Sequence, residues 1–140
     1  MDKKNSILIV DDEVANIRLL SNILGPEYKL FAVTNGPDAI ETAEKHLPDI
    51  ILLDVIMPDM DGYAVIAALK NSDKTKNIPV VFITGLGAAS DEEKGLEYGA
   101  ADYVAKPFSP MVVKHRVRNQ VQNINKHRDL EASVHATRDE

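Results

Sequence analysis

The feature that most constrains the fold is a regular alternation of short apolar runs with stretches of helical period. Five short runs rich in Val, Ile and Leu are each followed by apolar residues spaced three or four positions apart. The predicted strands are Ile7 to Val10, Tyr28 to Val33, Ile50 to Leu53, Val80 to Ile83 and Asp102 to Ala105. The predicted helices are Val14 to Leu24, Pro37 to Leu47, Gly62 to Leu69, Asp91 to Tyr98 and a segment from Met111 onward. This order predicts an α/β fold, a doubly wound five-stranded parallel sheet, because right-handed crossovers place helices on both faces.

Turn and capping residues agree with these boundaries. Gly25-Pro26 is expected to end the first helix, and Asn35-Gly36-Pro37 to begin the second with proline in its first turn. Ser90 and Glu93 have the spacing of a capping box, and Gly99 is placed to end the helix that follows. These turn and capping residues therefore support the same five strand-then-helix units.

Apolar positions on the first two helices recur at the spacing of a core-facing stripe. We interpret them as packing residues and expect them all to be buried against the sheet. They are Ile17, Leu20, Leu24, Ile40, Ala43 and Leu47.

Length and composition limit what the chain can be. With 140 residues it can bury one substantial core, and no apolar run approaches the ~18 residues that span a bilayer. The first residues show no signal-peptide pattern, and the absence of cysteine excludes disulfides and thiolate metal sites. We therefore expect a cytoplasmic protein that does not enter a membrane.

Charge is distributed unevenly along the chain. Residues 1–108 contain ten Lys or Arg against eighteen Asp or Glu, a formal charge of −8, whereas residues 109–140 contain six against four. Because binding to nucleic-acid phosphates requires clustered cations, we expect no direct nucleic acid binding by the folded part.

The helical pattern after Pro110 is longer than a sheet of this size can cover. It runs through Val113, Val117, Val121 and Ile124 and into the last residues. We expect a domain at residues 5–125 and a helical tail or linker at residues 126–140. This extended C-terminal helix could link to a second module or form a homodimer, although polar residues interrupt a coiled-coil seam. A frayed, solvent-exposed end is the alternative.

Polar side chains follow four of the predicted strands. In an open parallel sheet, ligands bind at the carboxyl ends of the strands, near the switch in strand order. Asp11 and Asp12 follow the first strand, Asp54 the third, Thr84 the fourth and Lys106 the fifth. Taken alone, an Asp pair after a strand is more often a helix cap, and a single lysine is more often a surface residue. Their joint placement favours a site.

The chemistry of this set favours phosphoryl transfer. Crowded carboxylates repel one another unless a cation lies between them, and an oxygen-only ligand set suits Mg²⁺, with Mn²⁺ as an alternative. Asp54 is the candidate nucleophile that would form an acyl phosphate. Lys106 would pair with the phosphoryl oxygens and Thr84 would donate a hydrogen bond to one of them.

In order and spacing, these motifs resemble the receiver domains of bacterial response regulators over about residues 5–125. The matching segments are Ile9 to Glu13 after the first strand, Asp54 to Gly62 at the third, Ile83 to Gly85 at the fourth and Ala105 to Phe108 at the fifth. The resemblance implies the flavodoxin-like strand order 2-1-3-4-5. It also implies two-component signal transduction, in which Asp54 receives a phosphoryl group from the phosphohistidine of a sensor histidine kinase or a histidine phosphotransfer protein.

The resemblance further implies a role for individual residues. Asp12, Asp54 and the backbone carbonyl of Ile56 would ligate Mg²⁺ directly, and Asp11 would act mainly through a water on the metal. The Lys106-Pro107 bond would be cis. Thr84 and Tyr103 match the family's switch pair. Phosphorylation would then alter the surface formed by the helix at 91–98, the strand at 102–105 and the helix that follows, and so control a partner or a downstream output.

Two other functions remain to be weighed against a signalling switch. A Mg²⁺-dependent phosphohydrolase would also use an aspartyl phosphate, but it needs a general acid near the nucleophile and usually a cap over the substrate. Ile56 stands two residues after Asp54, and no insertion is long enough for a cap. A degenerate receiver that only binds proteins is disfavoured because all five expected site residues are present.

Overall fold

The computed structural model describes residues 4–85 and 96–138, with side chains described as far as residue 126. Five strands lie at β1 (Ser6–Val10), β2 (Lys29–Val33), β3 (Ile50–Asp54), β4 (Val80–Thr84) and β5 (Asp102–Ala105). Within the described residues, helices lie at α1 (Val14–Leu24), α2 (Gly36–His46), α3 (Gly62–Lys70) and α4 (Pro110–Arg138). Most of these bounds lie within one residue of the predicted ones.

All five strands form one parallel sheet in the order β2-β1-β3-β4-β5. The predicted fold class and strand order are therefore confirmed. The chain leaves β1 toward one edge of the sheet and returns to place β3 on its other side, so a switch in strand order falls between β1 and β3. This is the position at which an open α/β sheet binds its ligands.

Two apolar layers cover the faces of the sheet. One contains side chains from α2 and α3 and alternate residues of the central strands, including Leu8, Leu53 and Phe82. The other contains side chains from α1 and α4 and the intervening strand residues, including Ile9 and Ile83. Every residue of β3 and β4 is buried, as expected for parallel strands with helices on both sides.

Side-chain capping explains where α2 and α3 begin. Asn35 Oδ1 accepts a hydrogen bond from the amide of Asp38 at 2.8 Å, and Asp61 Oδ1 accepts one from the amide of Ala64 at 2.9 Å. Each bond satisfies an amide of the first helical turn that has no partner within the helix.

The expectation that Leu47 packs in the core was wrong. The helix ends at His46, and Leu47 adopts a left-handed conformation with φ of 47° and is 52% exposed. The reason is that the chain must leave the helix here to reach Pro48 and β3, which turns this side chain away from the apolar stripe.

The C-terminal helix is the longest element, with 29 residues. Val113 and Val117 are buried against the sheet, and Val121 and Ile124 pack at the edge of the same layer. The backbone remains helical to Arg138, so the last 14 residues would extend about 21 Å at 1.5 Å per residue.

Part of the fourth predicted helix, at residues 91–98, lies outside the described residues, as do Ser90 and Glu93 of its capping box. Gly99 follows it with φ of +94°, a conformation that suits a glycine at a helix end. Within the described ranges, no helix is both long enough and apolar enough to cross a bilayer.

A pair of glycine substitutions tests how tightly the sheet holds α3. A Cβ atom at Gly62 would lie 2.6 Å from the carbonyl oxygen of Asp54, whereas at Gly85 the nearest atom, Lys106 Cδ, would be 3.9 Å away. We expect Gly62→Ala to lower the free energy of unfolding by about 1 to 3 kcal/mol through overpacking against backbone. Gly85→Ala should be neutral or stabilising by up to about 1 kcal/mol. Urea denaturation of both variants measures the difference, and equal values would contradict the close packing.

Candidate functional site

The carboxyl ends of the strands bring the predicted polar residues to one edge of the sheet. Asp54 is the last residue of β3 and pairs in register with Ile83, the residue before Thr84. Asp11 follows β1 directly, and its amide donates to the carbonyl of Val33 at 3.2 Å. Residues distant in the sequence therefore meet because neighbouring parallel strands end side by side.

Three carboxylates converge at this edge. One oxygen from each of Asp11, Asp12 and Asp54 lies within 4.8 Å of the other two. The side chains of Asp11 and Asp54 are buried, at 0% and 3% exposure, whereas Asp12 faces solvent. Asp11 does not cap the following helix, because its Oδ1 accepts from the amide of Glu13 and α1 has no side-chain cap.

Lys106 supplies the positive charge beside these carboxylates. Its Nζ lies 3.4 Å from Asp54 Oδ1 and 3.6 Å from Asp11 Oδ2. The Lys106-Pro107 peptide bond is cis, as the family resemblance implied. The amide of Lys106 also donates to the carbonyl of Thr84 at 2.6 Å, so the lysine backbone is tied to the end of β4.

Opposing interactions determine the pKa of the Asp54 carboxyl. Burial, and after it the nearby Asp11 carboxylate, raise its pKa from the ordinary value of 3.8 to about 6. The Lys106 ammonium and the amide of Ile56, which donates to Asp54 Oδ1 at 3.3 Å, oppose this rise in the pKa. The net effect is that the protein holds a carboxylate that is costly to ionise.

The arrangement fits a divalent cation. Within the described part of the chain, Asp11 Oδ2 is buried without a hydrogen-bond partner, although Lys106 lies near it. A buried carboxylate oxygen normally accepts a hydrogen bond or binds a metal. Three oxygen ligands at this spacing, with no sulfur and no histidine among them, match the preference of Mg²⁺.

The remaining predicted residues surround this centre. Thr84 is buried at the end of β4, and Ile56 lies after β3 with a side chain that is 55% exposed. Tyr103 lies on β5, partly buried against the α2 and α3 layer. Thr84 therefore ends the strand next to β3, and Tyr103 pairs in register with Phe82, two residues before Thr84.

Two backbone contacts that hold the site residues Asp54 and Asp11 were not identified from the sequence. Gly62 lies against the carbonyl of Asp54, and its amide donates to the carbonyl of Val55 at 2.8 Å. The amide of Glu13 fixes the orientation of Asp11. The sequence signal for Gly62 was the Asp61-Gly62 pair that follows a buried strand. The same pair is also typical of an ordinary turn, so it did not indicate a contact with Asp54.

The structure combines a five-stranded flavodoxin-like sheet with an acidic cluster and a lysine at the switch in strand order. These features together define a class of phospho-accepting signalling domains. The profile of the response regulator receiver domain matches residues 7–118. The chain belongs to this family, which serves two-component systems.

Relatives and solved structures agree with this assignment. The chain is 47% identical over 114 residues to response regulator PleD of Caulobacter vibrioides and 43% identical over 118 residues to a Vibrio cholerae protein named a probable cyclic di-GMP phosphodiesterase. These matches cover 81% and 84% of this chain but only 25% and 27% of the relatives, so the chain spans about a quarter of their length.

Two receiver structures overlap nearly the whole folded part. One is the receiver domain of sensor histidine kinase PA1611 from Pseudomonas aeruginosa, with a magnesium ion coordinated in its active site cleft, at 26% identity and a TM-score of 0.79. The other is the BeF3-activated DrrB receiver domain, at 28% identity and a TM-score of 0.78. Each alignment covers 86% of this chain and 99% of the other.

The raised pKa of Asp54 predicts a pH-dependent gain in stability when its charge is removed. The folded state binds the proton more tightly than the unfolded chain, so this contribution to stability is present below pH 3.8 and is lost as the pH rises to about 6. We expect Asp54→Asn to raise the free energy of unfolding of metal-free protein at pH 8 by on the order of 2 kcal/mol, and to change it little near pH 4.

Urea denaturation at the two pH values, in the presence of a chelator, measures this effect. Added Mg²⁺ should stabilise the wild type more than Asp54→Asn, because a ligand that binds only the native state adds to its stability. A variant that is no more stable than wild type at pH 8 would contradict the described electrostatics.

Proposed function

We propose that this chain is a phosphorylation-controlled switch in which Asp54 accepts a phosphoryl group in a Mg²⁺-dependent reaction. The single observation that supports this most strongly is the convergence of three carboxylates and one lysine at the switch point of the sheet. The donor would be the phosphohistidine of a sensor histidine kinase or a histidine phosphotransfer protein. This chain would catalyse only its own phosphorylation and dephosphorylation.

In the proposed reaction, a carboxylate oxygen of Asp54 attacks phosphorus and the bond to the histidine nitrogen breaks. The leaving imidazole takes up a proton from solvent, and the product is an acyl phosphate. Above pH 6 the carboxylate is ionised, so it needs no base to act as the nucleophile. The amide of Ile56 and the ammonium of Lys106 orient it through Oδ1.

Lys106 has a second role in this proposal. Its ammonium already lies 3.4 Å from Asp54 Oδ1, so it would pair with an oxygen of the incoming phosphoryl group as charge moves onto that group. Asp11, Asp12, Asp54 and the carbonyl of Ile56 would hold Mg²⁺, which neutralises phosphoryl oxygens when bound. The exposure of Asp12 leaves one side of the cluster open to the donor.

We further propose that Thr84 and Tyr103 transmit the change. Phosphorylation adds roughly 1.5 to 2 negative charges and three acceptor oxygens at the end of β3. The Thr84 side chain lies at the end of the adjacent strand β4, and Tyr103 lies on β5 beyond it. A movement of Thr84 toward the phosphoryl group would open space behind it for Tyr103, and the surface around β5 would then differ between the two states.

The phosphohydrolase alternative lacks support in the described residues. Two residues after the nucleophile, the exposed side chain of Ile56 provides no proton to a leaving group. The chain between β3 and α3 consists of residues 55–61, which is too short to form a cap. Turnover of a small phosphoester in the presence of Mg²⁺ would favour that alternative.

Phosphorylation by a small donor tests the proposed function. With acetyl phosphate and Mg²⁺, intact mass analysis should show one phosphoryl adduct that is absent in Asp54→Asn and in the presence of a chelator. Asp59→Asn is the matched control, because Asp59 is exposed and close in sequence but outside the carboxylate cluster. An adduct that persists in Asp54→Asn would place the acceptor elsewhere.

Lys106→Ala should slow formation of the same adduct. We expect a decrease of about tenfold or more, since a hydrogen bond to a charged group contributes about 1.5 to 3 kcal/mol. An unchanged rate would exclude the proposed role of the Lys106 ammonium while leaving Asp54 as the acceptor.

We infer that residues 126–140 form a helical linker through which a second copy of the chain can bind. Support comes from the backbone of α4, which remains helical to Arg138. Light scattering coupled to gel filtration should give a mass above the monomer for the full chain and a monomer mass after removal of 126–140. Identical masses for the two would contradict the inference.

A further inference from the structure

Gly36, the first residue of α2, is buried against the segment that joins β3 to α3. A Cβ atom at this position would lie 2.5 Å from Sδ and 2.8 Å from Cγ of Met60, and 2.9 Å from Cγ2 of Val65. Since α2 has already begun at this residue, an alanine could adopt the same backbone. The close approach of neighbouring side chains, rather than backbone conformation, therefore requires a glycine here.

The two side chains next to Gly36 differ in their freedom to move. Val65 is fully buried in α3, and its branched side chain has few alternative rotamers. Met60 is only partly buried at the edge of the α2 and α3 layer, and its unbranched side chain can adopt other rotamers. A methyl group added at Gly36 would therefore displace Met60 first.

Met60 belongs to residues 55–61, a short segment that is held at several points. The amide of Gly62 donates to the carbonyl of Val55 at 2.8 Å, which closes the segment. Met57 is buried in the same apolar layer that Met60 packs against, so two side chains anchor the segment. Seven residues held in this way have little freedom to take up a displacement of Met60.

The start of the same segment contacts the candidate nucleophile. The amide of Ile56 donates to Asp54 Oδ1 at 3.3 Å, and the same oxygen lies 3.4 Å from Lys106 Nζ. The carbonyl of Ile56 is one of the ligands in the proposed Mg²⁺ site. A change in the orientation of residue 56 would therefore affect both the carboxylate and the bound metal.

We propose that Gly36 and Met60 are positioning residues for the phosphorylation site. Their contact fixes residues 55–61, and through them the backbone of Ile56, relative to Asp54. This inference rests on the proposed function, in which Asp54 and Ile56 hold Mg²⁺. Groups that orient metal ligands without touching the metal commonly contribute about tenfold or more to metal affinity.

Calorimetric titration of the full chain with Mg²⁺ alone, without a phosphoryl donor, tests the proposal. We expect Gly36→Ala to raise the Mg²⁺ dissociation constant about tenfold. Met60→Ala should raise it by a smaller factor, because this change removes an anchor of the segment but adds no collision. The double variant should bind Mg²⁺ about threefold or more tightly than Gly36→Ala, because it lacks both of the atoms closest to the new methyl group.

Ala43→Gly is the matched control for a general loss of packing. Ala43 is buried in the same helix and the same apolar layer as Gly36, about two turns further along. A glycine in the helix interior should lower the urea midpoint of the metal-free protein. The Mg²⁺ dissociation constant should stay at the wild-type value, because Ala43 lies outside the contact with residues 55–61.

The outcomes separate this inference from the function on which it rests. If wild type binds Mg²⁺ and neither Gly36→Ala nor Met60→Ala changes the dissociation constant, the positioning role is wrong and the proposed function stands. An equal effect of Ala43→Gly, or a double variant that binds no better than Gly36→Ala, would also overturn the positioning role. If Gly36→Ala fails to fold, the dissociation constant of Met60→Ala decides. Wild type that binds no Mg²⁺ would overturn both the proposed function and this inference.

Discussion

The interaction on which the rest of the structure depends is the repulsion among carboxylates that the sheet holds at one end. Asp11 and Asp54 are both buried, and burial together with the neighbouring Asp11 carboxylate makes Asp54 harder to ionise than it is in water. The shift in the pKa of Asp54 to about 6 expresses this cost, which Lys106 offsets only in part. The negative charge of the carboxylates is therefore not fully neutralised by Lys106. For this reason the stability of the folded protein should depend on whether a cation binds at the site.

The apolar sheet makes such an arrangement possible. Every residue of β3 and β4 is buried, so the strands that carry Asp54 and Thr84 cannot relax away from the charge cluster. Two contacts hold the carboxyl ends of these strands. Gly62 packs closely on the backbone of Asp54, and the amide of Lys106 donates a hydrogen bond to the carbonyl of Thr84. The proposed phosphorylation would therefore change the charge at a point where the surrounding strands are tightly packed.

Much of the fold could be predicted from local patterns. The strand bounds followed from the apolar runs, and Asn35 was placed at the start of α2 because its capping chemistry depends only on nearby residues. Leu47 was misplaced because helical periodicity does not specify at which residue the chain must turn toward the next strand. The role of Gly62 was missed because the contact that requires a glycine comes from the backbone of another element.

The sequence by itself determined the order of strands and helices, the positions of the acidic residues and lysine at strand ends, and the family to which they belong. Only the tertiary structure decided that Asp11 is buried while its neighbour Asp12 is exposed, and that Lys106 lies within reach of both Asp11 and Asp54. The physical reason is that periodicity and capping are local properties of the chain. Burial and charge separation depend on how strands distant in the sequence are placed side by side.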